Sequence, residues 1–263
     1  MSSHATIAFR ALLAIGVAVS ASGCATPVKQ NAAQGPLDTP DRLKLAQAAA
    51  DSGNTTLATS LYMRALSDPT LGTDTRIRAA DMLVALGHAS NAEAALNERL
   101  HSSPAPSAAD ATALRRALAR LHIVAGRPAD AVVECDALLA RNSGDLAATV
   151  DKAVALDLLG RHAEAQALYR RALEVEPDDA TVRSDLALSV ALQGRISEAE
   201  ALAAPLRNRP DLPARIKTDL GLLYAAGNDP GNAEPWLDGR TTSAADVVML
   251  VDAMRARAAG QGR

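Results

Sequence analysis

Between residues 39 and 240 the apolar positions fall into short stretches of helical period, and the stretches come in pairs divided by a glycine. Gly53, Gly87, Gly126, Gly160 and Gly194 stand at these divisions, and in the last pair the glycine slips by one residue to Gly227. Glycine enters the left-handed backbone region without steric cost, so each predicts the end of a first helix just before a second begins. Two columns of small residues run alongside. Ala46, Ala80, Ala119, Ala153, Ala187 and Gly221 form one; Ala58, Ala92, Ala131, Ala165, Ala199 and Ala233 form the other. Successive members of both lie 34, 39, 34, 34 and 34 residues apart. The pattern predicts six antiparallel helical hairpins whose backbones approach closely where the small residues meet.

Departures from the period carry expectations of their own. The five additional residues fall in Ser102-Ser103-Pro104-Ala105-Pro106-Ser107, which separates two hairpins from the rest and is expected to act as a joint. Pro177 is placed to end a second helix, because proline lacks the N–H and clashes with the preceding turn. Pro235 lies inside the sixth second helix, which is therefore expected to be short or distorted. Over Ser243–Ala258, Val247, Val248, Leu250, Val251 and Met254 share one helical face. A stacked array needs such a terminal helix to cover its last apolar surface, and Trp236 is expected to pack there.

Composition agrees with an all-helical chain. Alanine fills 59 of 263 positions and aromatic residues only 2%, which favours helix over strand and a one-layer stack over a single large core. Because alanine is so common, either small-residue column alone is weak; the two together with the glycine column are specific. The net charge is −3 with both signs interspersed, so no polybasic patch points to nucleic acid.

The first 23 residues do not read as part of the fold. Arg10 closes a short polar start, and the apolar run Ala11–Val19 is too short to span a bilayer but suits the core of a signal peptide. Ala21-Ser22-Gly23-Cys24 follows and resembles the bacterial lipobox, with Ala21 where leucine is usual. The resemblance implies cleavage before Cys24 and acylation of that residue, anchoring the chain in a lipid bilayer. Two or more acyl chains hold firmly, at ~0.8 kcal/mol per buried CH₂. Ala25 stands where an aspartate would retain the protein at the inner membrane, so the expected address is the periplasmic face of the outer membrane. Residues 24–38 then read as a flexible tether with a reach of about 20 Å over ~15 residues. With Cys24 acylated, Cys135 has no partner, and its apolar helix position makes it a small buried hydrophobe.

No catalytic or metal-binding motif is present, and the chain is not expected to be an enzyme or to carry a cofactor. His88 and His162 each follow a turn glycine and are expected to be exposed loop residues. His122 occupies an apolar first-helix position and should be packed. Glu174, Glu176, Asp178 and Asp179 read as solvated carboxylates of an inter-repeat turn.

The columns, together with Tyr169, Ala172 and Pro177 in the copy Leu146–Asp179 and the run Leu220-Gly221-Leu222-Leu223-Tyr224, resemble the tetratricopeptide repeat (TPR) over residues 39–240. The resemblance implies an all-α solenoid of about six repeats, closed by a capping helix at 241–259. It also implies a concave groove lined by first-helix residues, here Arg116, Arg120, Ile123, Val124, Val154, Asp157, Leu158, Ser184, Leu188, Leu192, Thr218 and Leu222. Such a groove suits an amphipathic helix or extended peptide of a protein partner rather than a small-molecule substrate. Arg116 and Arg120 are placed to meet a partner's carboxylate. Gln47, Asp81, Arg120, Val154 and Leu188 share one register, with no asparagine among them, so the acidic C-termini of cytosolic chaperones are not the expected ligand.

A lipobox, a short tether, about six repeats and a terminal helix resemble the TadD family, TPR lipoproteins of the tight-adherence (Tad/Flp) pilus machinery. Leu156–Asp179, Asp185-Leu186-Ala187-Leu188-Ser189 with Gly194, and the region Leu220–Met254 carry the likeness. It implies a pilotin-like role in which the groove holds the secretin or another pilus assembly subunit. Two alternatives keep the fold: another outer-membrane TPR lipoprotein, serving type IV pili or scaffolding cell-wall enzymes, and a periplasmic holdase or an enzyme using the groove on small ligands.

Overall fold

A computed structural model describes residues 38–226, and these contain eleven α-helices, one 3-10 turn and no strand. In order they are α1 (Thr39–Asp51), α2 (Thr55–Leu66), α3 (Thr73–Ala85), α4 (Ala89–Leu100), α5 (Ala108–Val124), α6 (Pro128–Arg141), α7 (Leu146–Leu158), α8 (His162–Val175), α9 (Ala180–Leu192), α10 (Ile196–Ala203) and α11 (Ala214–Ala226). The leader, lipobox and Cys24, the tether, Pro235, Trp236 and the predicted terminal helix lie outside the described residues.

Every described hairpin turns where the sequence places it. Gly53, Gly87, Gly126, Gly160 and Gly194 all have positive φ, between 72° and 85°. After α7 the Arg161 N–H bonds back to the Leu156 carbonyl at 2.9 Å, closing the helix in the Schellman manner. Space is not what demands glycine at Gly160, since a Cβ there would meet nothing within 4 Å; the backbone angle is. Side-chain caps begin several helices. Asp38, Asn54 and Asp145 each accept a backbone N–H from the first turn, and Asp179 accepts two, from Thr181 and Val182.

The small-residue columns are the contact lines. Ala46, Ala58, Ala92, Ala119, Ala131, Ala153, Ala165 and Ala199 are fully buried, and Ala80 and Ala187 are 1% exposed. A larger side chain at such a position would force the paired helices apart.

The described residues divide into two compact units, one ending at Leu121 and the other beginning at His122, so the boundary falls within α5 and not at the Ser102–Ser107 insertion. In the N-terminal unit α1 packs on α2, α2 on α3 and α3 on α4. Leu61, Tyr62, Leu83, Leu96, Leu114 and Leu118 are buried there, and the Tyr62 hydroxyl donates to Gln47 Oε1 at 3.1 Å. In the C-terminal unit each helix from α6 to α10 packs on the next, and α11 packs on α9 and α10. Tyr169, Tyr224, Leu156, Leu186, Leu206 and Ile216 belong to its core.

Pro177 follows the end of α8 as predicted. A second proline has an effect that the period does not register. Pro205 cannot donate to the helical ladder, and α10 stops after eight residues at Ala203, passing into the 3-10 turn Ala204–Leu206.

Candidate partner-binding surface

In the N-terminal unit the predicted surface residues are Arg116 and Arg120 of α5. Arg120 is exposed, Arg116 is half-buried, and Arg116 is already engaged within the chain. Asp81 of α3 occupies the register of Arg120 one repeat earlier. Desolvation raises its pKa, and the Arg120 charge opposes that rise. Gln47, in the same register on α1, donates to Asp51 Oδ1 at 2.8 Å and accepts from Tyr62. This register is thus polar and largely satisfied from within.

In the C-terminal unit the same register holds Val154, Leu188 and Leu222, and it is apolar. The structure leaves Ile123, Val154, Leu158 and Leu192 half-buried and Val124 45% exposed. Leu188 and Leu222 are buried members of the core cluster, against which Val154 and Leu192 pack. Asp157, Ser184 and Thr218 are also buried. Accessible surface among the predicted residues of this unit therefore comes from α5, α7 and the end of α9.

A buried polar network accompanies this surface, and the sequence reading anticipates none of it beyond Asp157. Asp157 Oδ1 accepts the Ser189 hydroxyl at 2.7 Å and lies 2.8 Å from His162 Nδ1. Gln166 donates to Ser189 and to Gln193, and Arg195 donates to Gln166 Oε1. The expectation for His162 is corrected: it opens α8, and the hydrogen bond to Asp157 draws its ring in, leaving the side chain 12% exposed. His88 is exposed, and His122 is buried at 5% exposure.

Nearby, Arg215 of α11 bridges two carboxylates, donating to Asp185 of α9 and lying 3.6 Å from Asp219. The Ser184 hydroxyl donates to Asp219 at 3.2 Å. Burial pushes the Asp185 carboxyl up to about 7, with the Arg215 charge pulling it back and the Asp219 and Asp157 charges adding to the rise. Burial likewise takes Asp219 to about 6 against the pull of Arg215. One signal of this was present in the chain, since Asp151, Asp185 and Asp219 recur at the 34-residue interval.

Cys135 is a fully buried free thiol, and burial pushes its pKa up to about 12. Glu174, Glu176 and Asp178 are exposed, as expected of turn carboxylates, while Asp179 caps α9. Among the described residues no group of His, Cys, Asp and Glu is arranged to hold a metal ion, and no helix is long and apolar enough to cross a membrane.

Residues 158–220 match the family model of the tetratricopeptide repeat. No curated protein sequence matches the chain. Among solved structures, a tetratricopeptide repeat protein from Parabacteroides merdae superposes with a TM-score of 0.66 at 17% identity, over 83% of this chain and 85% of its own. TTC0263, a TPR protein of Thermus thermophilus, gives 0.55 at 21% identity over 70% and 99%. PilW, a widely conserved type IV pilus biogenesis factor, gives 0.58 at 17% identity over 81% and 98%. What is shared at these identities is the fold.

Proposed function

We propose that the chain is a tetratricopeptide-repeat protein serving as a lipid-anchored adaptor, which binds a protein partner and performs no catalysis. Cys24 carries the acyl anchor at the periplasmic face of the outer membrane, and the repeats hold a secretin subunit of a Tad/Flp-type pilus system during its assembly. One observation carries this reading: a leader-like apolar run ends at a lipobox cysteine, and a short polar stretch joins it to stacked helical hairpins. The half-buried apolar row Ile123, Val154, Leu158 and Leu192 is the surface such a partner would cover. It suits the apolar face of a helix or an extended segment.

The fold shared with PilW keeps a second reading alive, in which the same anchor and surface serve a type IV pilus. The experiment for the main reading is Cys24→Ala in cells. Release of the protein from the membrane fraction, together with few or misplaced secretin multimers, is the expected result. Normal multimers in that strain would end the pilotin reading. Retention of the variant in the membrane fraction would end the anchor.

A further inference from the structure

Of the arginine pair that the sequence offers to a carboxylate, Arg116 is engaged within the chain and the Arg120 charge acts on Asp81. A different pair in the N-terminal unit stands beside open space. Arg76, near the start of α3, and Arg99, at the end of α4, both line a cavity of about 220 Å³. Arg76 is 4% exposed. Its Nη1 donates to the Leu66 carbonyl at 2.6 Å and its Nη2 to the Asp68 carbonyl at 2.8 Å, while its Nε finds no acceptor. Arg99 Nη1 donates to Ser102 Oγ at 2.7 Å. Neither arginine forms an ion pair among the described residues.

Carbonyls satisfy the hydrogen bonds of a buried guanidinium but leave its formal charge unmatched, and buried charges are ordinarily paired. Burial and then the Arg99 charge lower the Arg76 pKa, with Glu98 and Asp68 acting in the opposite sense. Two arginines and one carboxylate, Glu98, line the cavity, so the lining itself carries a single net positive charge, with the Asp68 carboxylate outside it. That matches a monoanion. A phosphate group, at about −1.5 to −2 near neutral pH, overshoots it. Leu66, Pro69 and Pro104 add an apolar wall for a carbon stem. The volume lies below the roughly 300–1,000 Å³ of small-molecule sites, and it suits one side chain or a chain end rather than a cofactor.

We propose that this cavity receives one carboxylate of a partner protein, from an acidic side chain or a C-terminus, with the free donors of Arg99 and Ser103 making the contact beside Arg76. The proposal rests on the preceding reading only in taking the partner to be a protein. Its test needs no partner: the full chain is titrated with N-acetylalaninate, a chain-end mimic, and with N-acetylaspartate α-amide, a side-chain mimic. Inorganic phosphate and sodium chloride at matched ionic strength serve as comparisons. The readout is the NMR signal of the Arg99 Nε–H and of the Ser103 amide.

A saturable shift with either carboxylate is expected. Arg99→Gln should weaken it about tenfold, the cost of one charge-assisted hydrogen bond, and Arg78→Gln, which removes an exposed charge from the same helix as Arg76, should leave it unchanged. Shifts that follow ionic strength alone, or that persist in Arg99→Gln, overturn the proposal. Saturation by phosphate at lower concentration than by either carboxylate overturns the choice of ligand. A strain that assembles secretin normally through Cys24 while the cavity takes no carboxylate would end this proposal and leave the adaptor reading standing.

Discussion

Replacing Asp185 with asparagine should make the protein's stability less dependent on pH, and the structure sets the size and sign of the effect. The folded-state pKa of Asp185 is raised from 3.8 to about 7, and that of Asp219 to about 6, with burial the first cause in both. The folded chain therefore keeps protons that the unfolded chain releases. Stability from this source is whole below pH ~4 and is lost as pH rises through ~6 to 7. Three pKa units at ~1.4 kcal/mol each give about 4 kcal/mol for Asp185, an upper figure because Asp185 and Asp219 share Arg215 and are not additive. Asparagine keeps the shape and an acceptor for Arg215 but cannot ionise. Urea unfolding of both proteins at intervals from pH 4 to pH 8 measures the effect. The variant should gain on the parent by a few kcal/mol across that range. Asp68, Asp110, Glu164 and Asp211, whose lowered pKa values give the opposite slope, are common to both proteins and cancel in the difference. A difference that stays flat with pH would refute the account of a buried carboxylate held against its charge.

Two further expectations concern the fold. Gly160→Ala should cost about 1 kcal/mol in chemical denaturation, because a left-handed alanine loses ~1–2 kcal/mol and recovers part of it from a less flexible unfolded chain. Gly144→Ala, at a glycine without positive φ and with its nearest neighbour 3.5 Å from the added Cβ, should instead be neutral or slightly stabilising. Two equal losses would show that the backbone angle is not what selects glycine at these turns. Cys135, with its pKa near 12, should resist a thiol reagent in the folded Cys24→Ala chain at pH 8, where about one thiol in 10⁴ is ionised, and should react at once in urea. Prompt labelling of the folded chain would show that the α6 contact opens readily.

The parts of the fold that were legible in the chain are those that a single residue decides. A positive φ selects glycine by itself, so five turns could be read from five glycines. Close approach of two helices selects alanine by itself, and the alanine columns are buried almost completely. The repeat period carries no mark of Pro205: the hairpin survives, but α10 stops at Ala203 and passes into the 3-10 segment. The place of His162 after a turn glycine says nothing of Asp157, which reaches it across that turn. The buried acids were harder still. Asp185 stands in its helix as one more polar residue, and its burial and its bond to Arg215 of α11 come from the packing of neighbouring helices.

The candidate surface shows why a repeat chain can announce its fold more clearly than its partner. Packing is set by the two small-residue columns, which leave the neighbouring register free to vary. In the N-terminal unit that register holds Gln47, Asp81 and Arg120, and in the C-terminal unit Val154, Leu188 and Leu222, on the same kind of hairpin. A uniform binding strip would repeat its chemistry as faithfully as the scaffold repeats its alanines. The register does not: it is polar in the N-terminal unit and apolar in the C-terminal one, where Leu188 and Leu222 serve the core. Apolar contact supplies area without choosing a partner, since any buried methylene contributes about 0.8 kcal/mol. A buried charge without a full set of partners does choose, because it is costly to leave so. Arg76 of the N-terminal unit is such a charge, held at 4% exposure with two nitrogens bonded to carbonyls, its Nε without an acceptor and no carboxylate in an ion pair with it.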